Sequence, residues 1–222
     1  LAGGGRLRPA LAIATATTGG RDVSNDVIDG GAAVELVHQG SLYHDDVMDE
    51  ATTRRGVPTV NAKWGNLVAI VAGDFLLSRA SEIAARLGTE VSALLASTIG
   101  RLCEGQVGEL QHAFQTSRPE EAYFSSISGK TASLFATSCR IGALTSGLDR
   151  AAIDAFTAYG EAIGMLYQVR DDILDVIATD EELGKPAGLD LVEGVYTLPI
   201  LRALGDRDAG PELLGLLGRP LD

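Results

Sequence analysis

Apolar residues recur along this chain at a spacing close to one helical turn, and that spacing makes helix rather than strand. A first helix is expected from Leu7 to Thr18, stopped by Gly19-Gly20. A second runs from about Asn25 to Asp49, with Ala33, Leu36, Val37 and Leu42 among its apolar positions. Gly30, Gly31 and Gly40 weaken it unless packing there needs small residues. The polar stretch from Asp49 to Val60 contains Gly56 and Pro58 and reads as a connection. Long helices follow over Ala62 to Arg86 and Glu90 to Gln115. Pro119 suits the first turn of a short helix ending at Ile127, and Ser128-Gly129 bends the chain before a helix over Lys130 to Leu144. Another helix covers about Ala151 to Val176. Leu183 to Glu193 is a Gly-rich loop, and Pro199 interrupts or caps a last helix near Ile200 to Leu204. Convincing strand alternation is absent, so the fold class is all-α, with long core helices in a single domain over residues 1–222.

Composition narrows the function classes. The chain has 222 residues, enough for one sizeable core, and its 45% hydrophobic content argues against disorder. A formal net charge of −12 argues against nucleic acid as a partner. Cys103 and Cys139 sit in apolar helical patterns and read as buried thiols. The most apolar run, Leu67 to Leu77, contains Gly73 and Asp74, and is too short and too polar to span a bilayer. No secretory segment leads the chain, so a cytoplasmic protein without a transmembrane segment is the expectation. Residue 1 is not Met and the last patterned stretch stops at Leu217, so the domain is expected to be incomplete at both ends.

Chemistry concentrates in two copies of one motif: Asp45-Asp46-x-x-Asp49 and Asp171-Asp172-x-x-Asp175, each closing a long apolar helix. Carboxylates at i and i+4 share a helix face and repel unless something positive lies between them. Two such helix ends supply up to six hard oxygen ligands, a set suited to Mg2+ that also holds a substrate's phosphates. A solvated acidic face explains one motif; two at matching helix ends make it a poor account. Cations for a multivalent anion are present: Arg54-Arg55 beyond the first motif, Lys130 between the motifs, Lys185 after the second, and Arg6 and Arg8 near residue 1. His38 stands about two turns before Asp45 and is either a surface histidine or a support for phosphate. His44 either orients a carboxylate or caps the helix, and is not read as a metal ligand; His112 is structural or exposed.

These residues resemble the trans-isoprenyl diphosphate synthases, or polyprenyl synthetases, and within them the bacterial medium- and long-chain members. The first signature is His38-Gln39-Gly40-Ser41-Leu42-Tyr43-His44-Asp45-Asp46-Val47-Met48-Asp49, continued by Arg54-Arg55-Gly56-x-Pro58-Thr59. The second is Gly164 and Tyr167-Gln168-x-x-Asp171-Asp172-x-x-Asp175. Gly65-Asn66, Gly73-Asp74, Gly105-Gln106, Lys130-Thr131-Ala132, Gly184-Lys185-x-x-Gly188-x-Asp190 and Thr197-Leu198-Pro199 extend the likeness from Gly4 to Pro199. The resemblance implies the isoprenoid synthase fold, with long helices around a central apolar cavity, and a homodimer. It implies a prenyltransferase that joins isopentenyl diphosphate to an allylic diphosphate in the all-trans sense. Asp45, Asp46, Asp49, Asp171, Asp172 and Asp175 would surround roughly three Mg2+ ions. Arg54, Lys130 and Lys185 would hold the allylic diphosphate, and Arg6, Arg8, His38 and Arg55 the isopentenyl diphosphate. Thr131 and Gln168 would line the reaction region.

Two departures bear on this. Gly5 stands where family members usually carry Lys, which removes one phosphate cation, and Val195 precedes Tyr196 where many carry Lys. Small Gly40 and Ser41 leave the cavity floor open, with Ala33, Leu36 and Val37 deeper along the same helix. That favours a C30 to C50 product for quinone side chains, with C20 geranylgeranyl diphosphate as the alternative. A class I terpene cyclase and a noncatalytic subunit of a heteromeric synthase are the other readings; two intact Asp motifs weigh against both.

Overall fold

The structure, a computed structural model, describes residues 5–18, 20, 22–179 and 187–220. Its elements are α1 (Leu7–Thr17), α2 (Asn25–Met48), β1 (Thr53–Arg54), β2 (Val57–Pro58), α3 (Val60–Trp64), α4 (Asn66–Arg86), α5 (Thr89–Gln111) and α6 (Glu120–Ile127). A π-helical turn (Ser128–Ala132), α7 (Ser133–Thr145), α8 (Arg150–Ile177), α9 (Leu189–Val192), α10 (Leu198–Leu204) and α11 (Gly210–Leu216) follow. The all-α reading holds apart from one two-stranded antiparallel ladder, Thr53 opposite Pro58 and Arg54 opposite Val57. Between those strands Arg55 (φ 52°) and Gly56 (φ 73°) are both left-handed, the pattern of a two-residue hairpin turn. The expected helix over 62–86 is instead split, because Gly65 adopts φ 87° and separates α3 from α4.

The backbone falls into two compact units, Leu1–Gly100 with Ser133–Ala162, and Arg101–Ala132 with Ile163–Asp222; α5 and α8 contribute to both. In the first unit α2 packs on α1, α4 and α7. Ser24 caps α2 by accepting from the Val27 amide at 3.4 Å, and Asp26 complements the helix dipole in the first turn. Val27, Val34 and Val37 of α2, Leu134, Phe135 and Ile141 of α7, and Ala80 of α4 are fully buried. The α2–α4 crossing depends on two glycines. A Cβ on Gly40 would lie 3.0 Å from the Gly73 carbonyl and 3.3 Å from Leu77, and a Cβ on Gly73 would overlap the His44 ring. Glycine on both helices therefore lets the backbones approach closely where the first Asp motif begins.

In the second unit the bend expected at Ser128-Gly129 is the π-helical turn, where a Cβ on Gly129 would sit 2.7 Å from the Arg101 carbonyl. Pro199 lies in the first turn of α10, so it caps rather than interrupts that helix. Helix α10 packs on α6 and on α11, an element that the sequence pattern did not reveal. Cys139 is buried as expected, but Cys103 is exposed: its helix turns that position outward.

Candidate functional site

The first acidic motif closes α2. Its middle carboxylate, Asp46, is buried, and Arg54 Nε donates to its Oδ1 at 2.6 Å. Asn61 Nδ2 donates to the Asp46 carbonyl and to the Ala51 carbonyl, both at 3.0 Å, and Thr59 Oγ1 donates to Ala51 at 2.7 Å. These bonds fold the 49–59 connection back onto the helix end and aim the Arg54-bearing hairpin at the motif. Asp45 is half-buried and Asp49 exposed. A cavity of about 240 Å³ lies beside them, lined by Asp46, Arg54, Arg55, Tyr43 and Gln39 among others. His44, directly before the motif, places Nε2 3.1 Å from the Ile70 carbonyl and 3.3 Å from Asp74 Oδ1, and so ties α2 to α4.

Deeper in the same unit, Arg8, Arg54 and Arg55 converge electrostatically on His38. Burial first, then these three cations, lower the His38 pKa to about 3. The imidazole is therefore neutral at physiological pH and offers a hydrogen bond rather than charge. The Arg8 guanidinium stacks 4.6 Å from the Phe135 ring centroid, a cation–π contact that helps to position it. Arg6 is exposed at the start of α1 with φ 42°. Ser41 Oγ donates to the His38 carbonyl at 2.9 Å. Of the positions expected to floor a cavity, Ala33 and Val37 are fully buried, Leu36 is half-buried, and Gly40 is closed over by Gly73 and Leu77.

The second motif lies on α8 within the second unit. Asp172 is buried and both its oxygens accept: Oδ2 from Tyr123 Oη at 2.5 Å, Oδ1 from Gln168 Nε2 at 2.7 Å. Thr131 Oγ1 donates in turn to Gln168 Oε1 at 2.7 Å. Burial pushes the Asp172 carboxyl above its ordinary value, against the pull of these hydrogen bonds, and burial plus the bond to Asp172 push the Tyr123 phenol upward. Asp175 is buried, with the Asp190 amide 3.4 Å from its Oδ2 and the Gly188 amide donating to its carbonyl at 2.9 Å. Asp171 keeps 40% of its side chain exposed, beside Arg170 at 3.7 Å. Lys130 Nζ pairs with Glu109 at 2.5 Å. Lys185 lies outside the described residues.

The two motifs thus share one design. The middle aspartate is buried on protein donors, while the leading aspartate remains accessible. Among the described residues no group of three or more Asp, Glu, His or Cys side chains is gathered round a metal position. Within each unit the buried middle aspartate, Asp46 or Asp172, is held by protein donors. The donor chemistry nevertheless fits a hard divalent cation, since each motif offers only carboxylate oxygens, at helix-face spacing. Sequence reasoning missed Tyr123, Arg118, Glu109 and Asn61. Each acts through at least one contact distant in sequence; Glu109, a carboxylate facing Lys130, and Arg118 carried a charge signal that could have been sought, whereas Tyr123 and Asn61 carried none.

The polyprenyl synthetase family model matches residues 1–219. Nonaprenyl diphosphate synthase of Mycobacterium tuberculosis is 41% identical over 224 residues, covering 100% of this chain and 66% of that protein. Heptaprenyl diphosphate synthase component 2 of Geobacillus stearothermophilus is 42% identical over 206 residues, covering 92% of this chain and 64% of its own length. The chain therefore spans just under two thirds of these relatives. A crystal structure of geranylgeranyl pyrophosphate synthase from Corynebacterium glutamicum, complexed with calcium and isoprenyl diphosphate, superposes with a TM-score of 0.85 at 41% identity, covering 100% of this chain and 67% of that one.

Proposed function

We propose a function from one settled premise: this chain belongs to the polyprenyl synthetase family and has its all-α fold. The chain is a Mg2+-dependent prenyltransferase that condenses an allylic diphosphate with isopentenyl diphosphate to give a longer all-trans prenyl diphosphate. The observation that carries this reading is the shared design of the motifs, in which a buried, hydrogen-bonded middle aspartate leaves the leading one accessible. Asp45, Asp49 and Asp171 would hold Mg2+ through accessible carboxylates, with Asp46, Asp172 and Asp175 fixing the helix ends behind them. Bound Mg2+ supplies charge neutralisation of the diphosphate as the allylic C–O bond breaks.

The chain's own residues do the rest. Arg54, Lys130 and Lys185 bind the allylic diphosphate, with Arg54 and Lys130 held ready by Asp46 and Glu109. Arg6, Arg8 and Arg55 bind the isopentenyl diphosphate, and neutral His38 donates to it without adding charge. Gln168 and Thr131 orient the reacting carbons. The isopentenyl double bond attacks the allylic C1 as diphosphate departs, and the proton then lost leaves with that diphosphate. No protein nucleophile is needed.

For product length, C20 moves ahead of the expected C30 to C50. The Corynebacterium structure is that of a geranylgeranyl synthase, whereas the other two relatives are named for heptaprenyl and nonaprenyl products. Gly40 packs against α4, and Ala33 and Val37 are buried in the core, which supports a short product in this reading. A homodimer fits the apolar ridge that α3 and α4 expose at Trp64, Leu67, Val71 and Phe75. Among the described residues no helix is long and apolar enough to cross a membrane; a cytoplasmic location is part of the proposal.

The test is product analysis of the purified chain with Mg2+, isopentenyl diphosphate and C5, C10, C15 or C20 allylic starters. Linear prenyl diphosphates establish the reaction and read out its length. Cyclic hydrocarbons would replace it with a terpene cyclase. A folded chain that yields no Mg2+-dependent product from any starter would overturn it in favour of a partner-dependent subunit.

A further inference from the structure

Arg118 is a buried arginine outside both acidic motifs, and nothing in the reaction above uses it. Its guanidinium donates through Nη2 to Ser126 Oγ at 2.9 Å and through Nη1 to the Tyr196 carbonyl at 3.4 Å, and it lies 5.7 Å from the Tyr123 ring centroid. Tyr123 is itself 1% exposed and carries its hydroxyl to Asp172 Oδ2 at 2.5 Å. Tyr196 Oη in turn accepts from the Gly218 amide at 2.7 Å, which anchors the chain after α11. All these groups lie within the second unit.

A buried arginine is costly to desolvate, and a phenol hydrogen-bonded to a buried carboxylate fixes that carboxylate in one orientation. With Gln168 on its other oxygen, both Asp172 oxygens are held by donors from the protein, next to the accessible Asp171. We propose that Tyr123, braced by Arg118, is a positioning residue for the second acidic motif: it holds Asp172 so that Asp171 meets the Mg2+–diphosphate in a fixed geometry. The inference rests on the prenyltransferase reading and names a support for its metal half-site that neither motif contains. Removing support of this kind typically costs about 10–100-fold in a site's affinity for its ion.

The probe is inorganic diphosphate with Mg2+, titrated by calorimetry against the full chain. If wild type binds no Mg2+–diphosphate, the prenyltransferase reading itself fails. If wild type binds, Tyr123→Phe, which keeps the ring and removes one hydrogen bond to a charged group, should raise the Mg2+ concentration for half-maximal binding about tenfold. KM for isopentenyl diphosphate, held by Arg8, Arg55 and His38 in the first unit, should not move. A titration that coincides with wild type in a folded Tyr123→Phe protein overturns the inference. So does an equal loss in both measurements, which marks general loosening. In an Asp172→Asn background the Tyr123→Phe effect should vanish; additive losses also overturn it. If Tyr123→Phe fails to fold, Arg118→Lys leaves the phenol in place and removes the brace, and an unchanged Mg2+ requirement there has the same consequence.

Discussion

Arg54 Nε lies 2.6 Å from Asp46 Oδ1, so the second carboxylate of the first motif is neutralised by a cation delivered from the hairpin that follows it. The pair is asymmetric, with Asp46 buried and Arg54 about one third exposed. The guanidinium can therefore hold Asp46 with one edge and turn the other toward a phosphate, which a lysine point charge cannot do.

Arg54→Lys should therefore fold and lower kcat/KM for the allylic substrate about hundredfold, with a smaller effect on KM for isopentenyl diphosphate. Steady-state kinetics with each substrate varied in turn checks this. Equal losses for both substrates would place Arg54 elsewhere in the site.

The accessible and buried aspartates should separate in experiment. Asp45→Asn and Asp171→Asn remove accessible ligands and should cut kcat about a thousandfold with little change in melting temperature. Asp46→Asn should also lower the melting temperature, because Arg54 loses its charged partner. Chelation of divalent cations should abolish turnover and Mg2+ should restore it. Thermal denaturation alongside single-turnover assays separates the two classes.

His38 gives a pH prediction with a definite sign. Its folded-state pKa of about 3 lies below its ordinary value of 6.5, so between these values the unfolded chain binds more protons than the fold. This group therefore makes stability rise with pH across that window, by up to about 1.4 kcal/mol per pH unit. Above pH 6.5 its contribution is constant. Urea denaturation of wild type and His38→Gln at pH 4.5, 5.5 and 7.5 reads the effect. The variant should lose less stability on acidification, and parallel curves would refute it.

The glycine crossing predicts a stability cost without a chemical one. Gly40→Ala places a methyl 3.0 Å from the Gly73 carbonyl and should destabilise by about 1–3 kcal/mol, lowering the melting temperature by about 2–4 °C per kcal/mol. A Gly40 variant as stable as wild type, with altered product length, would show instead that this position faces the growing prenyl chain.

The exposed ridge makes the dimer testable. Leu67, with 81% of its surface exposed, and Val71, with 66%, have their exposed faces on one side of α4. Leu67→Lys should leave the protomer folded and shift its mass by light scattering from dimer to monomer. A mass unchanged from a wild-type dimer would move the interface elsewhere.

Much of this protein was written in its one-dimensional pattern. Helical periodicity placed α1, α2 and α8 to within a residue or two, because each buries an apolar face whose spacing needs no knowledge of its partner. The Asp motifs were legible for the same reason: i and i+4 carboxylates share a helix face whatever surrounds them. Local backbone signals were read less completely. In sequence Gly65 reads only as part of a family signature, yet its positive φ breaks a helix that periodicity alone would continue. Gly56 and Pro58 mark the 49–59 stretch only as a connection, yet it forms a hairpin that carries Arg54 to Asp46. Tertiary structure alone decided which carboxylates are buried, since that depends on donors far along the chain: Tyr123 reaches Asp172 across 49 positions and Asn61 reaches the Asp46 carbonyl across 15. It also decided the charge state of His38. Burial and three converging arginines set that titration, and no spacing in the sequence brings Arg8, Arg54 and Arg55 to one imidazole.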